Sequence, residues 1–166
     1  QDGSFQDLKY AWKSGGSWTI EAVESSGEVG QYTSLALDAE GVPHISHCDF
    51  TNGDLKHASK PGAVWVTEIV DATGFVGRYN SLALDPHGFP RISYFDSTNE
   101  DLRYARKTRT GWVIETVDSQ GIVGYHSALA LDARGNPRIS YYDVSNGDLK
   151  YTDSYVALVS PAGGER

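Results

Sequence analysis

Apolar and β-branched residues fall in short runs along this chain, each closed by a cluster of Gly, Pro, Asn, Asp or Ser. The stretch from Ser81 to Val117 shows the pattern. SLALD (Ser81–Asp85), PRISYFD (Pro90–Asp96), LRYARK (Leu102–Lys107) and WVIETV (Trp112–Val117) are separated by PHGF, STNED and TRTG. Runs of this length bounded by turn residues predict four short strands in an antiparallel meander. No stretch sustains a 3.6-residue apolar period, which predicts essentially no helix.

The pattern recurs every 47 residues. Asp7, Asp54, Asp101 and Asp148 open DLKYA, DLKHA, DLRYA and DLKYT, and Trp18, Trp65 and Trp112 follow at the same spacing, as do Gly30, Gly77 and Gly124. A fixed period of this size marks a repeat architecture. The first strand of each unit is the most apolar and carries a small residue at its centre (Ala36, Ala83, Ala130), which suits a place where several strands converge. The fourth carries Trp at its start and an internal Glu (Glu21, Glu68, Glu115). A Glu in an alternating strand is expected to face water, so the fourth strand is expected to lie outside and the first inside.

Repeated four-stranded meanders of this length predict an all-β fold of β-propeller blades. The phrase LALDxxGxPxISYYDxxNGDLKYA resembles the repeats of bacterial extracellular β-propeller proteins over nearly the whole chain. That resemblance implies a secreted or cell-surface location. The blade-end Gly-His and Trp-Asp dipeptides of Trp-Asp repeats are missing, as is the Ser-x-Asp-x-Gly-x-x-Trp box of sialidases. The units predict a half blade at 7–24 and blades at about 34–70, 81–117 and 128–160, about three and a half in all. Closed propellers typically have at least four blades. Completion by self-association is therefore expected, a two-chain ring first, or else the chain is a segment of a longer propeller. Gln1 opens the chain within a repeat and there is no Met, which reads as a processed or truncated piece. Third-and-fourth-strand hairpins outnumber first-and-second-strand hairpins, so two such chains do not divide evenly into whole blades.

Charge and composition narrow the partners. The 166 residues carry a formal net charge of -8, which argues against binding to a nucleic-acid backbone or an anionic membrane surface. No apolar run approaches the ~20 residues of a bilayer-spanning helix. Cys48 is the single cysteine, so no internal disulfide forms.

The candidate chemistry lies in turns and connections. DFTNGD (Asp49–Asp54), DSTNED (Asp96–Asp101) and DVSNGD (Asp143–Asp148) place carboxylates in a short loop, and oxygen-rich loops bind calcium. The competing reading is a hairpin turn in which Asp and Asn cap backbone N–H groups and Gly takes a positive φ, with Glu100 in the Gly position of the second copy. No cofactor is expected beyond this calcium candidate. His44 and His47 point to opposite faces of a strand and predict no shared zinc site. His57 stands where Tyr104 and Tyr151 stand, and Cys48 where Phe95 and Tyr142 stand, which predicts packing roles.

GEVGQYTS (Gly27–Ser34), GFVGRYNS (Gly74–Ser81) and GIVGYHSA (Gly121–Ala128) read as connections from the outside of one unit to the inside of the next. Loops on a rigid scaffold are favoured places for binding residues. Tyr32, Arg78, Tyr79, Tyr125 and His126 are the candidate ligand-binding residues. Their rings can stack on a sugar and Arg78 can pair with a carboxylate, or the tyrosines pack between blades. A glycosidase needs one particular pair of carboxylates at one bond, whereas carboxylates such as Glu21, Asp49 and Asp54 each recur one unit on. The expected function is therefore non-catalytic binding of a carbohydrate or protein surface. A structural spacer in a larger extracellular protein, and a glycosidase or lyase with an axial active site, are the alternatives.

Overall fold

The structure, a computed structural model, describes residues 6–153. A hairpin of β1 (Leu8–Ser14) and β2 (Ser17–Glu24) comes first. Two four-stranded antiparallel sheets follow: β3 (Val29–Leu37), β4 (Pro43–Asp49), β5 (Asp54–Ser59) and β6 (Val66–Asp71), then β7 (Val76–Leu84), β8 (Pro90–Asp96), β9 (Asp101–Thr108) and β10 (Gly111–Asp118). A three-stranded sheet of β11 (Val123–Leu131), β12 (Pro137–Asp143) and β13 (Asp148–Asp153) closes the described region. Strands pair in chain order within each sheet, and no helix occurs among the described residues. The fold is thus all-β, four antiparallel sheets of two to four strands. The fourth strand expected at 155–160 lies outside the described residues.

The first strand of each sheet begins earlier than the sequence pattern suggests. Val29, Val76 and Val123 already pair with Asp49, Asp96 and Asp143, so the stretches read as loops are largely strand. The register then slips twice before regular pairing resumes at Ser34↔Ser46, Ser81↔Ser93 and Ala128↔Ser140. Such bulges absorb extra residues and bend the strand, and a period-2 reading cannot see through them.

The bend serves the packing between sheets. A Cβ added to Gly30, Gly77 or Gly124 would come within 2.8, 3.0 and 2.9 Å of the Cα of Leu8, Leu55 and Leu102, respectively. Only glycine lets the first strand of one sheet press onto the third strand of the sheet before it. Backbone hydrogen bonds cross at the same place: the amides of Val29, Val76 and Val123 donate to the carbonyls of Gln6, Gly53 and Glu100 at 3.0, 2.8 and 3.0 Å. Farther along, the amides of Leu82 and Leu129 each donate to a serine hydroxyl one unit back, Ser34 and Ser81, at 3.0 Å.

The core consists of the contacts between successive sheets. Leu8, Val29 and Ile45 fill the first junction, Leu55, Val76, Leu82, Ile92 and Tyr94 the second, and Leu102, Val123, Ile139 and Tyr141 the third. The burial changes at the two ends. Leu82 of β7 is 7% exposed, but its counterpart Leu35 of β3 is 53% exposed. Leu102 of β9 is fully buried, but Leu149 of β13 is 81% exposed.

Candidate functional site

The five candidate ligand-binding residues sit at the bulges. Tyr32, Tyr79 and His126 occupy the same place in β3, β7 and β11 and share a left-handed backbone, with φ of 51°, 50° and 50°. L-residues avoid this region at a cost of about 1–2 kcal/mol each. Their rings form a continuous row: Tyr32 meets Tyr79 at 4.8 Å, and Tyr79 meets Tyr125 at 4.7 Å and His126 at 4.4 Å between ring centres. Phe50 and Phe95 back the row, at 6.0 Å from Tyr32 and 4.5 Å from Tyr125. Tyr32 and Tyr79 are half-buried and His126 is exposed. Burial raises the Tyr32 phenol above its ordinary value, the neighbouring Tyr79 hydroxyl adding to it.

Arg78 stacks on two phenylalanines, one of which backs the row. Its guanidinium lies 4.8 and 5.2 Å from the ring centres of Phe75 and Phe50, a double cation–π contact. The strained backbone has a packing role as well. The Ser127 hydroxyl donates to the Tyr79 carbonyl at 2.9 Å, and the Asn80 side-chain amide donates to the Tyr32 carbonyl. The bulge therefore presents a carbonyl to the next sheet and a ring to the row.

The acidic turns take the hairpin form. Asn52, Asn99 and Asn146 each donate both backbone and side-chain N–H to the carboxylate of Asp49, Asp96 and Asp143. Gly53, Glu100 and Gly147 have φ of 80°, 64° and 73°. The same aspartates also face a cation on the third strand: Lys56 at 3.1 Å, Arg103 at 2.8 Å and Lys150 at 2.9 Å. Among the described residues, no group of three or more His, Cys, Asp or Glu is arranged to hold a metal ion.

Each of those cations also reaches back to the preceding sheet. Lys56 pairs with Glu24, Arg103 with Asp71 at 3.3 Å and Lys150 with Asp118 at 3.1 Å. Tyr94 and Tyr141 add a hydroxyl donated to Asp71 and Asp118, at 2.7 and 2.8 Å. The first junction departs from this form. His47 stands in place of the tyrosine and Glu24 in place of the aspartate, a shorter ring matched by a longer acid. His47 Nε2 lies 3.4 Å from Glu24 Oε2, and neither atom is hydrogen-bonded. Burial, with the Lys56 charge assisting, pulls the His47 imidazole down to about 4.

A second link joins the sheets farther out, and here the expectation of a water-facing glutamate needs correction. Glu21 of β2 accepts from Lys60 Nζ at 2.6 Å and from the Trp65 indole at 2.9 Å, both on the next sheet, and the lysine holds its carboxyl below the usual range. Glu68 of β6 pairs with Lys107, whose ammonium lies 5.2 Å from the Trp112 ring centre. The His57 ring, 3.2 Å away, and Lys107 hold the Glu68 carboxyl at about 2. Glu115, third in the series, is exposed and has no cationic partner among the described residues. The 47-residue spacing of Lys60 and Lys107 is the available signal, but pairing across sheets cannot be read from spacing within one unit.

Two of the histidines, His44 and His57, pair within their sheet. His44 Nδ1 and His57 Nε2 are 3.1 Å apart, where the fourth sheet has Arg138 Nη1 donating to Tyr151 Oη at 3.0 Å. Burial lowers the His44 imidazole. Cys48 is fully buried, its thiol donates to the Val76 carbonyl at 3.2 Å, and burial pushes it up to about 12. That environment disfavours the thiolate a nucleophile needs.

Three clefts lie away from the aromatic row. One of about 390 Å³ separates the turns at 37–40 and 84–88. A second, about 200 Å³, adjoins Glu21 and Lys60. The third, about 180 Å³, opens between the third and fourth sheets beside Tyr104, Glu115, Pro137 and Ile139. No protein-family model matches the sequence, and no curated protein matches it significantly.

Proposed function

We propose that the sheets are blades of a β-propeller closed by self-association, and that the protein is a secreted or cell-surface, non-catalytic binding module. Its ligand is a carbohydrate or protein surface, met by the row of Tyr32, Tyr79, Tyr125 and His126. The observation that carries this reading is the strained backbone under three rings of one row. Strain of this kind concentrates at functional sites, and aromatic faces suit the apolar faces of sugars. The packing role of the same bulges favours a second reading, a structural spacer in a larger assembly. Within the binding reading Arg78 contributes by holding Phe50 and Phe75 in place rather than by meeting the ligand.

One substitution separates the two. Tyr79→Gly removes the central ring, and relief of the left-handed strain offsets the loss of its ring contacts, so the fold is retained. Screened on an oligosaccharide array, the wild-type chain is expected to bind a subset of glycans and Tyr79→Gly to lose them at an unchanged thermal midpoint. Equal glycan binding by both proteins sinks the site. A large loss of stability in Tyr79→Gly favours the spacer.

A further inference from the structure

The β1–β2 hairpin and β10 carry, among the described residues, the unmatched halves of one junction. At the first junction Lys60 and Trp65 meet Glu21, and at the second Lys107 pairs with Glu68 with its ammonium over the Trp112 ring, whose indole N–H is not hydrogen-bonded. Glu115 presents the same carboxylate on β10, beside an open cleft of about 180 Å³. One unit before Lys60 and Trp65 stand Lys13 and Trp18, on the β1–β2 hairpin. Lys13 is exposed and Trp18 is 67% exposed, and neither has a partner among the described residues. An acceptor without donors at one end thus matches donors without an acceptor at the other, at the spacing of two junctions already formed.

Resting on the self-association reading above, we infer that the β1–β2 hairpin of a second copy seats on β10 and β12, with Lys13 and Trp18 of the second copy against Glu115. β1 then takes the place of β13. The two strands share the phrase Asp-Leu-Lys-Tyr, and β12 pairs with β13 as β4 pairs with β5, so the register is common to both. Displacing β13 exposes little apolar surface, since Leu149 and Tyr151 are 81% and 59% exposed, and the polar links it breaks are those of Lys150 and Tyr151, whose counterparts on β1 are Lys9 and Tyr10. Leu8 on β1 is already covered by Gly30 of its own copy. Lys9 of the second copy, exposed in a single copy, takes the position of Lys150 between Asp118 and Asp143. The hairpin also brings a fourth strand to a sheet that has three among the described residues.

The exchange resolves the uneven strand count. With β13 set aside, each copy contributes one hairpin of third and fourth strands, two whole sheets, and one hairpin of first and second strands. Among the described residues that makes three whole units per copy and six in two copies, within the range of closed propellers. The contact is head-to-tail, so closure depends on the rotation it imposes, and two copies complete a ring with two identical composite sheets.

The test is the molar mass of the full chain by light scattering, with charge exchange at the exposed pair. The wild type is expected at twice 18.1 kDa. Lys13→Glu and Glu115→Lys should each shift the mass toward 18.1 kDa, and the double variant should return it to twice that value. Both sites are exposed in a single copy, so folding is preserved, and the circular dichroism spectrum checks it. A wild type that stays monomeric up to ~100 μM, a concentration at which interfaces of ordinary size hold, overturns both this junction and the self-association reading. A dimer indifferent to both single variants overturns this junction alone. A ladder of larger masses overturns closure by two copies.

Discussion

Replacing His47 by Tyr together with Glu24 by Asp should remove a measurable part of this protein's acid sensitivity. In the native state the buried His47 titrates at about 4, against 6.5 for the unperturbed group. Between those values the unfolded chain holds a proton that the folded chain does not, so stability falls as pH falls. The contribution is fully present above pH 6.5 and fully lost below 4. The whole window is worth about 3 kcal/mol, of which about 2 is lost by pH 5. Burial is the main cause; Lys56 and His57 push the same way, and Asp49 opposes them. A tyrosine there is neutral across the window and, with the shorter acid of Glu24→Asp behind it, reproduces the Tyr94–Asp71 and Tyr141–Asp118 hydrogen bonds. His47→Tyr alone forces a larger ring against the longer acid and should cost about 1–3 kcal/mol. Glu24→Asp then restores the fit, a coupling of similar size. Urea unfolding at pH 7.5 and pH 5, at one fixed protein concentration, gives the four stabilities of the cycle. His44 is also lowered and contributes with the same sign, so the quantity to compare is the wild-type slope minus the double-variant slope. A double variant that keeps the full wild-type loss, or a single His47→Tyr as stable as the double, refutes the matched-pair account.

Two further expectations concern backbone strain. Glu100 has φ of 64° where Gly53 and Gly147 stand in the sister turns, so Glu100→Gly should stabilise the fold by about 1 kcal/mol and raise the thermal midpoint; an unchanged or lower midpoint would show that the side chain compensates for its strain. Gly77→Ala places a Cβ 3.0 Å from the Leu55 backbone at φ of 94°, whereas Gly41→Ala at φ of 81° meets nothing within 4 Å. The second should cost about 1 kcal/mol of backbone strain and the first clearly more, so equal denaturation midpoints for the two variants would refute the close-approach argument.

The fold class and the strand order within each unit are legible in the sequence because a period-2 pattern and turn residues act locally. Asp49, Asp96 and Asp143 show this, since each turn closes on an Asn three residues away. The start of β3, β7 and β11 is not legible, because a bulge breaks the alternation at the residues that begin the strand. The residues of the aromatic row are legible one by one, except that Arg78 joins two phenylalanines instead. The Glu21–Lys60–Trp65 link and the Glu24–His47 pair are hidden because both cross between units. A unit read alone shows a glutamate that should face water and a histidine with no visible partner. Their partners appear only when one unit is laid against the next.

The mismatch at the first junction has a consequence for how the chain finds its order. Units with interchangeable edges invite misassembly, in which a sheet docks one place too early or too late. Hydrophobic contacts here would tolerate that slip, since Leu8, Leu55 and Leu102 meet equivalent glycines. The Glu24–His47 pair does not tolerate it. A slipped third sheet would bring Tyr94 against Glu24 and overfill the junction, and a slipped second sheet would set His47 before Asp118 and leave a gap. The pair thus works as an address, telling the second sheet of a repetitive chain which neighbour is its own.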